Sequence, residues 1–294
     1  MSTEAVDPRY SQIDQWPTQQ AVSVMLDGQR EAVESLATQI DAISAAAEAA
    51  AARLGTTGRL TYAGAGTSGR IGVQDGVELT PTYGWPEDRL AFFLAGGMDA
   101  VMRAVEGAED NGPDARAQVI AANLGPADVL IGVAASGRTP FTIAAIEEAR
   151  ARGALTIGIA SNAGTPLLAA AEHAILLDTG SEAIAGSTRM KAGTAQKAAL
   201  NLLSTAIMLR QGFVFRGLMV NMRISNVKLR HRAGLMVADV AGVDETTAQT
   251  ALDQTGGDIR RAILVALGLS LEEADARIAN SHGPFQTVLS SLVD

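Results

Sequence analysis

Five short apolar runs recur along the middle of the chain, each bounded by glycine, polar or charged residues. They read RLTYAGAG, LAFFLAGG, DVLIGVAASG, ALTIGIASN and HAILLDTG, and helical stretches such as TPFTIAAIEEARARG separate them. Short apolar runs that alternate with helices are typical of strands in a parallel sheet that is covered on both faces. The pattern therefore predicts an α/β fold in which a parallel sheet is flanked by helices.

Helical patterns lie on both sides of these runs. From about Thr18 to Leu54, apolar residues recur three, four or seven positions apart, which predicts an N-terminal helical segment for packing or for a dimer contact. A long helical stretch, GSTRMKAGTAQKAALNLLSTAIMLRQ, follows the last apolar run. Beyond about residue 240 the chain becomes charged and helical, and Gly256 and Gly257 break it into at least two helices. We therefore expect one domain at 1–240 and a small helical subdomain at 241–294.

The amino-acid composition of the chain argues against several classes of protein. The chain has 294 residues, of which 47% are hydrophobic, and it has no cysteine, so disulfides and thiolate metal ligands are excluded. The histidines lack metal-ligand spacing, and we expect no metal. A net charge of -9 without a basic cluster argues against nucleic-acid binding. No apolar run reaches the roughly 20 residues that span a membrane, and the N-terminus lacks a signal pattern, so we expect a cytoplasmic protein.

Two nearly identical turns, TYAGAGTSGR and GVAASGRTP, follow the first and third apolar runs. Loops that follow parallel strands lie along one edge of the sheet, where ligands bind in open α/β folds. Hydroxyl groups beside free backbone N–H groups at a helix N-terminus bind phosphate. The two turns therefore predict a phosphate site, for which the candidate residues are Ser68, Gly69, Arg70, Ser136, Gly137, Arg138 and Thr139.

The first turn has a second interpretation, because GAGTSG matches the G-x-G-x-x-G pattern of dinucleotide-binding proteins. That class of site needs an acidic residue at the end of the second strand, whereas the second run here ends in FFLAGG. A third polar turn, GSTRMKAGT, adds Ser187, Thr188 and Lys191 before another helix. Each such turn alone is also a common helix cap, but three convergent turns favour an anion site.

Several motifs together resemble the N-acetylmuramic acid 6-phosphate etherase family. They are YAGAGTSGRIGVQDGVELTPTYG, AVEGAED, VAASGRTP, EAIAGSTRMKAGTAQK and NVKL, in the family's order and spacing. The resemblance extends from about Asp14 through the C-terminal helices. It implies a sugar isomerase (SIS) domain of flavodoxin-like architecture and a homodimer with sites near the subunit interface. It also implies a sugar-phosphate ligand, with Ser68, Ser136 and Thr139 as the foremost phosphate ligands.

The resemblance implies a lyase reaction without a cofactor. The D-lactyl ether at carbon 3 of N-acetylmuramic acid 6-phosphate is cleaved by elimination and then hydration, giving D-lactate and N-acetylglucosamine 6-phosphate in peptidoglycan recycling. Two carboxylates whose pKa values differ can supply the acid and the base. Glu78 lies in GVELTPT, an otherwise apolar and small-residue stretch in which burial would raise its pKa. The family pattern assigns Glu109 as the second catalytic carboxylate, although AVEGAED alone reads as a solvated helix end.

Two other functions stay open. A non-catalytic sugar-phosphate sensor, of which the glucokinase regulatory protein is an example, would share the phosphate turns without turnover. An aldose–ketose phosphate isomerase would share proton abstraction at carbon 2 but would need no acid at an ether oxygen. The presence of both glutamates favours the etherase.

Overall fold

The computed structural model describes residues 3–103, 105–280 and 285–290. Its contacts divide the chain into two compact units. The sheet unit comprises Met1–Gly76 and Asp88–Thr205, and the helical unit comprises Val77–Glu87 and Ala206–Asp294. The division therefore lies near residue 205, whereas the sequence led us to expect it near residue 240.

In the described part of the chain, the five apolar runs form five parallel strands, as expected from the sequence. The strands are β1 Leu60–Gly64, β2 Leu90–Leu94, β3 Val129–Val133, β4 Leu155–Ala160 and β5 His173–Leu176. Their order in the sheet is β2-β1-β3-β4-β5. The chain thus crosses from one side of β1 to the other after β2, and this order is flavodoxin-like.

Every residue of β1, β3 and β4 is buried, because helices cover both faces of the sheet. One of these helices approaches β3 so closely that a Cβ atom on Gly132 would lie 2.7 Å from Cγ1 of Ile146. The helices of the sheet unit are α1 Thr18–Glu34, α2 Ile40–Leu54, α3 Gly66–Val77, α5 Gly112–Ala121, α6 Pro140–Ala151, α7 Pro166–Ala170 and α8 Lys191–Arg210. The last residues of α3 and α8 belong to the helical unit.

The N-terminal segment is helical, but it is interrupted. A 3-10 helix, Ser35–Gln39, separates α1 from α2. The apolar face of α2 is buried, whereas Val22, Leu26 and Val33 on α1 are about half exposed. No helix in the described ranges is long and apolar enough to cross a membrane.

The helical unit has its own apolar core, which includes Phe215, Met236, Leu252 and Ile263. Its helices are α4 Leu79–Tyr83, α9 Val227–Ala241, α10 Glu245–Gln254, α11 Ile259–Ala266, α12 Leu271–Asn280 and α13 Phe285–Ser290. Helix α9 packs on α10 and α11, so the segment just before residue 240 belongs to this unit rather than to the sheet. Gly256 and Gly257, both with positive φ, separate α10 from α11 as expected.

Candidate functional site

The two Ser-Gly-Arg turns begin at the same level on neighbouring strands. Gly64, the last residue of β1, is paired with Val133, the last residue of β3. The chain leaves β1 and β3 in opposite directions along the sheet, and the crevice at such a topological switch point is where open α/β sheets bind ligands. The structure therefore brings the first and second predicted turns to adjacent positions at this edge.

The first turn needs glycine at two positions, because the start of α3 lies directly against the end of β1. A Cβ atom on Gly69 would lie 2.9 Å from the carbonyl oxygen of Gly64, and Gly66 has a φ of +53°. Ser68 is buried within the first turn of α3. The N–H groups of a first helical turn have no intrahelical acceptor, so this helix start suits an anion.

The second turn depends on one glycine in a left-handed conformation. Gly137 has a φ of +66°, and a Cβ atom there would lie 2.2 Å from Oγ1 of Thr165. Ser136 Oγ accepts a hydrogen bond of 3.1 Å from the backbone N–H of Arg138, whose side chain is exposed. Thr139 occupies the N-cap position of α6, yet among the described residues its side chain caps no backbone N–H group. Its hydroxyl group is therefore available at this helix start.

A cavity of about 210 Å³ lies beside the first turn, at the carboxyl ends of β1 and β2. The start of α3 forms one wall of it with Gly66 and Arg70, and the loop after β2 forms the other with Val105, Glu106 and Glu109. The guanidinium group of Arg70 donates to the carbonyl oxygens of Ala100, Val101 and Arg103 at 3.0–3.2 Å. Arg70 thus ties that loop to the first Ser-Gly-Arg turn.

Glu109 is the predicted catalytic residue that lies on this cavity. It belongs to a short 3-10 helix, Ala108–Asp110, which follows Gly107 in a left-handed conformation. Its side chain is solvent-exposed in the single chain, so a ligand in the cavity can contact its carboxylate. In the ranges that the structure describes, no cluster of three His, Asp or Glu side chains is arranged to hold a metal ion.

The third turn is built differently. The buried carboxylate of Glu182 accepts hydrogen bonds from the backbone N–H groups of Lys191 and Ala192 at 2.9 and 3.0 Å and thereby caps α8. The ammonium group of Lys191 lies 2.8 Å from Oε2 of Glu31 on α1. Lys191 lines a different cavity, of about 370 Å³, with Arg9 and with residues 178–181.

The structure therefore brings only some of the predicted binding residues together around one cavity. Among the described residues, the cavity beside Glu109 includes Arg70 but no residue of the second or third turn. Ser187 and Thr188 are half-buried in the loop before α8. Their role in binding stays a prediction.

The expectation that Glu78 is buried is wrong, because its side chain is exposed in the single chain. Glu78 lies at the junction of α3 and α4, where it occupies the N-cap position without a capping hydrogen bond from its side chain in the described structure. Leu79 and Thr80 occupy the buried side of α4, and Val77 is exposed with Glu78. The apolar neighbours of Glu78 thus differ in burial, since Leu79 is buried and Val77 is exposed.

A buried network of polar side chains around Asp75 on α3 was not predicted from the sequence. The carboxylate of Asp75, which is 2% exposed, accepts hydrogen bonds from the hydroxyl of Tyr62 at 3.0 Å and from Nδ2 of Asn201 at 2.7 Å. Ser204 donates a longer bond of 3.3 Å. Burial raises the pKa of Asp75, partly opposed by these hydrogen bonds. The network joins α3 to β1 and α8, and in the sequence only Asp75, which lies among apolar and small residues in GVQDGVELTPT, marked it.

Comparisons with known proteins identify the class first. The family model described as SIS domain matches residues 111–206, and the model described as glucokinase regulatory protein N-terminal SIS domain matches residues 36–150. A crystal structure from Bacteroides fragilis, of a protein proposed to be a phosphosugar isomerase involved in capsule formation, is similar in fold. It has a TM-score of 0.52 and 20% identity, and the match covers 68% of this chain and 95% of that one. The sheet unit is therefore a SIS domain.

Curated relatives then identify the family. A protein from Deinococcus radiodurans is 47% identical over 288 residues, which are 98% of this chain and 94% of the relative. A protein from Streptomyces coelicolor is 45% identical over 294 residues, which are 100% of this chain and 94% of the relative. Both carry the name N-acetylmuramic acid 6-phosphate etherase. The chain belongs to the N-acetylmuramic acid 6-phosphate etherase family.

Proposed function

We propose that this chain cleaves the D-lactyl ether of N-acetylmuramic acid 6-phosphate, a reaction of peptidoglycan recycling, and that it works as a homodimer in the cytoplasm. The products are D-lactate and N-acetylglucosamine 6-phosphate, which makes the chain a carbon–oxygen lyase. The observation that carries the proposal is the 47% sequence identity to a curated etherase over 98% of this chain. The accessible carboxylate of Glu109 beside the first Ser-Gly-Arg turn supports it.

In this proposal the 6-phosphate binds at the starts of α3 and α6. Ser68, Ser136 and Thr139 supply hydroxyl groups, and the backbone N–H groups of the first helical turns supply further donors. Arg70 holds the loop that carries Glu109 through its bonds to backbone carbonyls.

The chemistry needs one base and one acid. Opening of the sugar ring gives an aldehyde at carbon 1, which acidifies the proton on carbon 2. One carboxylate removes this proton, the electron pair forms the carbon 2–carbon 3 double bond, and the carbon 3–oxygen bond breaks as the second group protonates the departing ether oxygen. Water then adds to carbon 3. We assign Glu109 and Glu78 to these two roles.

The test is release of D-lactate from N-acetylmuramic acid 6-phosphate by the purified full chain and by the variants Glu109→Gln and Glu78→Gln. We expect each variant to lose at least about a hundredfold in kcat, which is the usual contribution of a general acid or base. Asp110→Asn is the matched control, because Asp110 lies in the same 3-10 helix but not on the cavity. Wild-type protein that binds the substrate without lactate release would indicate a sensor, and interconversion of aldose and ketose phosphates would indicate an isomerase.

A further inference from the structure

The helical unit contains a segment from an earlier part of the sequence. Val77–Glu87, which includes α4 and Glu78, groups with Ala206–Asp294 rather than with the sheet that precedes and follows it. Helix α4 has only five residues. A helix of this length is not stable by itself, so tertiary contacts must set its position.

Two hydrogen bonds, one from a side chain and one from the backbone, connect this segment to the loop between α8 and α9. The side-chain Nδ2 of Asn221 donates to the carbonyl oxygen of Tyr83 at 2.6 Å, and the backbone N–H of Arg223 donates to the carbonyl oxygen of Pro81 at 3.2 Å. Gly84 has a φ of +64°, and a Cβ atom there would lie 2.3 Å from the carbonyl oxygen of Asn221. The two backbones are therefore in direct contact at the end of α4.

Aromatic packing holds the segment a few residues further on. Trp85 is fully buried, and its ring meets that of Phe213 edge to face with centroids 6.1 Å apart. The guanidinium group of Arg260, on α11, lies 6.0 Å from the centroid of the same Phe213 ring. Helix α11 thus supports the aromatic pair that anchors the segment. The nearby ion pair between Arg223 and Glu87, at 2.7 Å, is exposed and contributes little.

We propose that the helical unit positions the Glu78 carboxylate, and that Asn221 is the positioning residue that fixes the end of α4 for this purpose. The inference rests on the proposed function, because it assumes that Glu78 takes part in the reaction. Glu78 occupies the N-cap position of α4, so the position of α4 determines where the backbone of Glu78 lies. That backbone is held by the contacts of Asn221 and Trp85.

A positioning role predicts a particular kinetic result. Catalytic groups must be held within roughly 0.5 Å of their working position, and a displacement of about 1 Å can cost a hundredfold in rate. Asn221→Ala removes the 2.6 Å bond to Tyr83 but leaves the phosphate turns untouched. We expect kcat to fall by about tenfold while KM changes by less than about twofold, which is the signature of an interaction made in the transition state.

The deciding experiment is a double-mutant cycle of Asn221→Ala with Glu78→Gln, measured as kcat for D-lactate release at 25 °C. If Asn221 acts through Glu78, then Asn221→Ala costs about tenfold in the wild-type background and less than about twofold in the Glu78→Gln background. Equal losses in the two backgrounds, or no loss in either, would overturn the inference. Absence of D-lactate from the wild type would instead refute the proposed function itself, so the two failures are distinguishable.

Two further variants guard against a general loss of folding. Arg261→Gln breaks the ion pair with Asp275, at 2.6 Å, in the same unit, and we expect it to leave kcat unchanged. Trp85→Phe keeps an aromatic ring against Phe213 and serves where Asn221→Ala does not fold. It should lower kcat in the wild-type background only. An equal loss of kcat in Arg261→Gln would show that the effect reflects stability rather than position.

Discussion

Gly137→Ala perturbs the second Ser-Gly-Arg turn, and the structure gives the size of the expected effect on the free energy of unfolding. A left-handed backbone costs an alanine about 1–2 kcal/mol relative to glycine. At φ +66° the new Cβ atom would also lie 2.2, 2.6 and 2.9 Å from Oγ1, Cβ and Cγ2 of Thr165, so rotation of that side chain cannot relieve the overlap. Thr165 is 1% exposed, and the turn must therefore move. Overpacking of this kind adds about 1–3 kcal/mol.

The matched control is Gly164→Ala. Gly164 has nearly the same φ, +64°, but a Cβ atom there meets nothing within 4 Å among the described residues. The two variants share the backbone cost, so the difference between their free energies of unfolding in urea isolates the steric contact, about 1–3 kcal/mol. Because the turn moves, Gly137→Ala should also weaken binding of N-acetylglucosamine 6-phosphate by about tenfold, or 1.4 kcal/mol. Equal destabilisation by the two variants would refute the steric argument, and unchanged binding would refute the placement of the phosphate.

The remaining predictions concern charged groups. Burial raises the pKa of Asp75, so its contribution to stability falls as pH rises from about 4 through the folded pKa, and Asp75→Asn should remove this slope from urea unfolding curves. Burial tends to raise the pKa of Asp128, but the hydrogen bonds from Arg59 outweigh burial, and the pKa is lowered. The ionised Asp128 therefore stabilises the fold above about pH 4, and this stabilisation is lost as pH falls through the folded pKa. At pH 7 Arg59→Ala should cost about 1.5–3 kcal/mol and leave KM unchanged, because this pair lies at the amino ends of β1 and β3. Arg70→Met, which removes three bonds to the loop after β2, should lower kcat/KM by at least about tenfold.

Each of these predictions has a contradicting result. An unchanged pH slope in Asp75→Asn would show that this carboxyl does not titrate differently in the folded state. A raised KM in Arg59→Ala would show that the amino end of the sheet influences binding. Full activity of Arg70→Met would show that the loop with Glu109 holds its position without the arginine.

The sheet and its turns could be predicted because local sequence determines them. Each buried strand is a mainly apolar run, and the turns that follow β1 and β3 contain positions where only glycine fits, as at Gly69 and Gly137. The parallel arrangement of the strands predicts that the two turns lie at the same edge of the sheet, and the pairing of β1 with β3 makes them neighbours. The strands and the glycine turns depend on residues close together in the chain, so a single sequence was sufficient to predict them.

The features that sequence reasoning missed depend on contacts between distant residues. Glu78 is exposed because the buried side of α4 is taken by Leu79 and Thr80, and the local composition carries no sign of which side faces solvent. The ion pair of Lys191 with Glu31 joins residues 160 positions apart. The unit boundary lies near residue 205 because α9 packs on α10 and α11, although the composition changes only at about residue 240.

The most direct test of the proposed lyase chemistry is the mass of the D-lactate released from N-acetylmuramic acid 6-phosphate in water enriched in oxygen-18. Elimination breaks the carbon 3–oxygen bond of the sugar, so the lactate keeps the original ether oxygen and should have its ordinary mass, while the water oxygen enters the sugar at carbon 3. Oxygen-18 in the lactate, or no lactate at all, would contradict the account.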